Sequence, residues 1–96
     1  MKKAIDKVLN NFVFSDIEVL RHKIYIHNTP LVNEKNVEVE VFISPDYSEK
    51  TVEDIANKIE TSLKMLGVTS VWVNYTYVES KKPMTVIRAF GDIKLK

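Results

Sequence analysis

Between residues 37 and 66 the chain changes its hydrophobic period from two to 3.6, and that switch most constrains what it can fold into. Val37, Val39, Val41 and Ile43 alternate with Glu38, Glu40 and Phe42, the pattern of a strand whose two faces meet different surroundings. Ser44-Pro45-Asp46 breaks the run. Val52, Ile55, Ala56, Ile59, Leu63 and Leu66 then recur at helical spacing over four turns, which predicts an amphipathic helix over 51–66. Ser48 or Thr51 can cap its start, Glu49, Glu53 and Asp54 suit its dipole, and Gly67 stands where a left-handed C-terminal residue is wanted. A half-buried strand feeding a one-sided helix requires the helix to lie on the strand's apolar face.

The flanks extend this unit. Ile5, Val8, Leu9 and Phe12 predict a short amphipathic helix over 2–12, with Lys2, Lys3, Asp6, Lys7, Asn10 and Asn11 toward water. In residues 15–28, Ile17 and Val19 have one parity and Ile24 and Ile26 the other. Either a bulge lies near Arg21-His22-Lys23, or a turn there separates two short strands. Asn28-Thr29-Pro30 ends that segment, and Asn33-Glu34-Lys35-Asn36 reads as a hairpin loop. Two further strands are expected over 69–79 and 84–95, joined across Ser80-Lys81-Lys82-Pro83, with Gly91 as a candidate bulge.

The expectation is an α+β two-layer sandwich in a single domain, 1–96. Its order is helix–strand–strand–helix–strand–strand, with a four-stranded, mainly antiparallel sheet and both helices on one face. The expected core is Ile5, Val8, Leu9, Val39, Val41, Ile43, Ile55, Ile59, Leu63, Leu66, Val71, Val73, Ile87 and Ile93.

Two helices can cover only one face of such a sheet. The other face is expected to carry Tyr25, Phe42, Trp72, Val78, Met84, Val86 and Phe90, mixed with Glu38, Glu40, Asn74, Thr76 and Arg88. A solvated face is normally mostly polar. Scattered surface apolar groups are ordinary, but an apolar patch with a polar rim marks a protein interface. Tyr25, Phe42, Trp72, Val78, Met84, Val86, Arg88 and Phe90 are therefore the candidate interface. Aromatic groups on an open sheet can also stack on bases, but Glu38 and Glu40 there would repel phosphates.

Composition narrows the chemistry. With no cysteine, disulfides, thiolate nucleophiles, zinc fingers and iron–sulfur clusters are excluded within the chain. Two glycines, Gly67 and Gly91, cannot build a glycine-rich phosphate cradle. His22 and His27 are five apart, so in one regular strand they point to opposite faces and cannot share a metal; a bulge between them would change that. The Glu38 and Glu40 pair lacks an obvious catalytic partner, and Glu53-Asp54 is explained by the helix dipole. No catalytic, metal or cofactor residues are assigned, and the chain is read as non-enzymatic. A net charge of +1 does not favour nucleic acid as a partner. Met1-Lys2-Lys3 could open a signal peptide, but Asp6, Lys7, Asn10 and Asn11 interrupt any apolar continuation. No apolar run approaches the ~20 residues needed to span a bilayer. The expected location is the cytoplasm or a virion assembled there.

The stretch Val37-Glu38-Val39-Glu40-Val41-Phe42-Ile43-Ser44-Pro45-Asp46-Tyr47-Ser48, with Val52-Glu53-Asp54-Ile55-Ala56-Asn57-Lys58-Ile59-Glu60 and Val71-Trp72-Val73-Asn74, resembles the C-terminal cytoplasmic domain of cation diffusion facilitators over about half the chain. That likeness implies a small metal- or ligand-responsive regulatory domain. Its metal-binding histidines fall near Glu53 and Asn74, and neither is histidine, so the metal function is not carried over. The order of elements and the long C-terminal hairpin are similar to those of tail-terminator and head–tail joining proteins of tailed phages. This likeness, of architecture, covers nearly the whole chain and implies a structural subunit that assembles into rings. A bacterial shock-protein family with a strand–helix–strand core is a third likeness. The leading expectation is a self-assembling homo-oligomer that also contacts other proteins; the alternatives are the regulatory domain and a nucleic-acid-binding module.

Overall fold

A computed structural model describes residues 1–94; Leu95, assigned above to the last strand, lies outside them. The elements are α1 (Lys2–Val8), β1 (Val19–Asn28), β2 (Glu34–Ile43), α2 (Glu49–Met65), β3 (Thr69–Val78) and β4 (Met84–Lys94). The four strands form one antiparallel sheet in the order β1-β2-β4-β3. Both helices pack on one face of it, as an α+β sandwich requires.

The α2 helix follows from local chemistry. The Ser48 side chain accepts from the Thr51 N–H at 3.2 Å, so Ser48 is the cap and the helix starts two residues before the expected 51. At the other end Gly67 takes φ +90°. Val68 N–H donates to the Leu63 carbonyl at 3.1 Å and Gly67 N–H to the Lys64 carbonyl at 3.0 Å, the paired bonds of a Schellman motif. Val68 and Leu63 are both buried in the core.

The first helix departs from the periodicity argument. After Val8 the chain widens into a π-turn over Leu9–Val13, closed by Phe14 N–H to the Leu9 carbonyl at 2.9 Å. Ile5, Leu9 and Val13, four apart, are buried. Phe12, expected inside, is 65% exposed, and Val8 is only half-buried. An i→i+5 turn advances each residue by less angle than an α-turn, which brings residue 13, rather than 12, under Leu9.

Residues 15–28 contain one bulged strand. The register shifts between Val19 and Arg21, leaving Leu20 as the extra residue. The bulge sits just before the expected Arg21-His22-Lys23 segment, and from Arg21 onward the alternation is regular. The hairpin loop is also displaced. β2 begins at Glu34, so the turn occupies 29–33 rather than 33–36. There the Thr29 hydroxyl accepts from Leu31 N–H at 3.0 Å and donates to the Glu34 carbonyl at 2.9 Å. Glu34, Lys35 and Asn36 are polar yet extended because β4 pairs with all three, and β1 with Lys35 and Asn36.

Gly91 does not carry the bulge. β4 pairs without a break along β2, and the irregularity lies on β3 between Thr69 and Trp72, where Ser70 has φ +53°. A Cβ at Gly91 would overlap Val68 Cγ1 and lie 3.1 Å from the Thr69 carbonyl oxygen. The glycine admits the close approach of the bulged strand.

Ten of the fourteen expected core residues are buried: Ile5, Leu9, Val39, Val41, Ile43, Ile55, Ile59, Leu63, Ile87 and Ile93. Val8, Leu66, Val71 and Val73 are half-buried; the last two sit on an edge strand, covered from one side only. Val13, Ile24, Val37, Val52, Ala56, Val68 and Ala89 complete the core.

Candidate functional site

The sheet face away from the helices can be read as rows of directly paired residues. One row runs Arg21–Phe42–Val86–Thr76, the next Lys23–Glu40–Arg88–Asn74, the third Tyr25–Glu38–Phe90–Trp72. Val78 and Met84 pair beyond the first row. All eight candidate interface residues therefore share this face, because the bulges in β1 and β3 fall before Arg21 and Trp72 and leave the alternation after them unbroken.

The rows differ in character. In the third, Trp72 stacks on Phe90 with centroids 5.5 Å apart and planes 29° from parallel. Trp72 is 58% exposed, while Phe90 and Tyr25 are half-buried. Tyr25 stacks on His27 at 5.8 Å, and His27 Nε2 lies 3.4 Å from Glu38 Oε1. In the middle row Arg88 Nε donates to Glu40 Oε2 at 3.1 Å. In the first row the Arg21 guanidinium covers the Phe42 ring, 4.4 Å from its centroid. Phe42 and Val86 are only 9% and 8% exposed. These two lie on the open face but are already closed in by their own neighbours; what remains accessible on it is mainly Trp72, the half-buried Phe90, Tyr25, Met84 and Val78, and the charged row.

Sequence reasoning left Arg21, Lys23 and His27 off this face. The signal was present: all three have the parity opposite to Ile24 and Ile26, but the unsettled bulge position kept it from being read. Two other exposed apolar features were also missed. Leu31 and Val32 project at the tip of the β1–β2 hairpin, and Phe12 and Met65 border a hollow with Asn57, Lys58, Thr61 and Ser62 on the helix layer.

The titratable groups are dispersed. His22 and His27 do point to opposite faces. His22 Nε2 bonds Asp6 Oδ1 at 2.6 Å, with the Phe14 ring 5.0 Å away, and ties α1 to β1. A hollow runs along β1 beside α1, lined by Lys2, Lys3, Asp6, His22, Lys23, Ile24 and Tyr25. Glu53 and Asn74, the positions that correspond to ligands in cation diffusion facilitators, lie on opposite outer surfaces of the sandwich. Among the described residues no group of three or more histidines and carboxylates is placed to hold a metal ion, and no helix is long and apolar enough to cross a membrane.

Fold and site together define an α+β sandwich with one open, aromatic-bearing sheet face. In comparisons with family models, curated proteins and solved structures, the chain matches none.

Proposed function

We propose that the chain is a non-enzymatic structural protein that assembles, with copies of itself and with other proteins, through its open sheet face. The observation that carries this reading is the exposed Trp72–Phe90 stack on a face that neither helix covers. Stacked, partly desolvated aromatic groups beside an open-face arginine–carboxylate pair have the composition of an interface anchor with a polar surround. The basic groups Arg21, Lys23 and Arg88 are matched on the face by Glu38, Glu40 and Asp92, a balance that suits another protein better than a phosphate backbone. A ring subunit of the tail-terminator kind, in the cytoplasm or a virion, is the particular form of such assembly that the element order suggests.

The test is solution mass by sedimentation from low to high micromolar concentration, for the wild type and Trp72→Ala. A concentration-dependent rise in mass that Trp72→Ala abolishes, with the fold intact by circular dichroism, is expected. A wild-type chain that stays monomeric throughout refutes the reading.

A further inference from the structure

The charges of the open face are sorted by strand. On that face β1 carries Arg21 and Lys23, β2 carries Glu34, Glu38 and Glu40, β4 carries Arg88 opposite Glu40, Lys94 opposite Glu34 and the acidic Asp92 between them, and β3 carries the uncharged Trp72, Asn74 and Thr76. This sorting discriminates between the two ways in which a flat face can pack on its own copy about a two-fold axis.

If the axis runs across the strands, each strand lies over its own copy. With the middle rows superposed, Lys23 then faces the partner's Lys23, Glu40 the partner's Glu40 and Arg88 the partner's Arg88; with the axis midway between the middle and third rows, Glu40 still faces the partner's Glu38. If the axis runs along the strands, β1 lies over the partner's β3 and β2 over the partner's β4, with every row kept in register. Glu40 then faces the partner's Arg88, Phe42 faces the partner's Val86, Tyr25 faces the partner's Trp72, and Lys23 faces the partner's Asn74. The charged row closes into two arginine–glutamate pairs rather than three like-charge contacts, and the aromatic row stacks on itself.

The area is sufficient. Four strands about 4.8 Å apart and about ten residues long, at about 3.4 Å each, present roughly 650 Å² a side. Two such faces remove roughly 1,300 Å² from water, just above the lower limit of about 1,200 Å² for a specific stable complex.

Resting on the reading that the open face is where the chain assembles, we infer that its partner there is a second copy of the chain, related by a two-fold axis parallel to the strands. Such a contact is closed. It makes pairs, and a ring would have to grow through a different surface, the exposed edges of β1 and β3 being the available ones.

Because the chain has no cysteine, single engineered thiols report on the geometry. Lys23→Cys and Asn74→Cys are both on exposed positions of the middle row. Mixed together and treated with a short bismaleimide, they are expected to cross-link to each other, while each alone does not. In the inferred pair two copies of residue 23 are separated sideways by three strand spacings, about 14 Å. Glu40→Arg is expected to weaken self-association at least about tenfold, and Glu40→Arg with Arg88→Glu to restore it. Self-cross-linking of Lys23→Cys, or no cross-link between the mixed variants in a chain that sediments as an oligomer, overturns the inferred axis and leaves assembly standing. A monomer at all concentrations overturns both.

Discussion

The π-turn after α1 makes a prediction that runs against the periodicity of the sequence. Helical spacing from Ile5 puts Phe12 in the core, whereas the structure places Val13 there, 2% exposed, and leaves Phe12 65% exposed. Val13→Ala removes two methyl groups from a packed site. At about 0.8 kcal/mol each the transfer loss is about 1.6 kcal/mol, and the residual cavity brings the cost to about 2 kcal/mol. Phe12→Ala forfeits about a third of the burial worth of a phenylalanine, under about 1 kcal/mol. Alanine's better helix propensity returns several tenths of that, so the net cost is below about 0.5 kcal/mol. Urea unfolding, followed by circular dichroism on dilute protein so that association does not contribute, measures both. With a slope near 1 kcal/mol per molar for a chain of this size, Val13→Ala lowers the midpoint by about 2 M and Phe12→Ala by less than about 0.5 M. If Phe12→Ala costs 3 kcal/mol or more, as truncating a core phenylalanine does, and Val13→Ala costs almost nothing, the helix continues as α and the reasoning fails.

Substitutions at three other positions probe the β3 bulge, the α2 cap and the tie between α1 and β1. Gly91→Ala forces a methyl group onto Val68 Cγ1 and the Thr69 carbonyl and is expected to cost about 1–3 kcal/mol in the same urea assay; a neutral result would mean that the β3 bulge does not approach Gly91. Ser48→Ala removes the α2 cap and should lower stability by about 1 kcal/mol, with Ser48→Asp restoring most of it; equal loss in both variants would reject the cap. Asp6→Ala breaks the bond to His22 and is expected to cost about 1 kcal/mol. Its signature is faster amide exchange confined to residues 2–13, and uniform loss of protection would show that the bond does not act on α1 locally.

Where the sequence was legible, the reason was local. α2 has its cap, its stripe and its terminal glycine within twenty consecutive residues, so no distant contact was needed to read it. The alternation of β2 was equally clear, and all four of its inward residues are buried. The candidate interface was legible to the same extent: given two helices and four strands, Trp72 and Phe90 had to fall on the face that no helix reaches. The errors fall at segments where a long-range partner decides. Glu34, Lys35 and Asn36 have turn-like chemistry, yet β4 and β1 draw them into the sheet. Gly91 looked irregular in itself, but it is regular and makes room for the irregularity of β3.

The site divides along the same line. That Tyr25, Phe42, Trp72, Val78, Met84, Val86 and Phe90 share the open face follows from parity alone. That Phe42 and Val86 are nearly buried there follows from Arg21 lying over the Phe42 ring, a cross-strand contact between residues 21 apart in sequence.

By itself, then, the amino-acid order determined the elements, their sequence along the chain, the single buried face and the aromatic character of the other. These depend on periods and caps that span a few residues. Only the tertiary structure decided that residue 13 rather than 12 enters the core, that the strands lie in the order β1-β2-β4-β3, and which residues pair across them. A strand's own pattern says which side chains share a face but not which neighbour stands beside them or at what offset. Register is set by pairing between distant segments, and register is what places Glu40 opposite Arg88 and Trp72 opposite Phe90 on the open face.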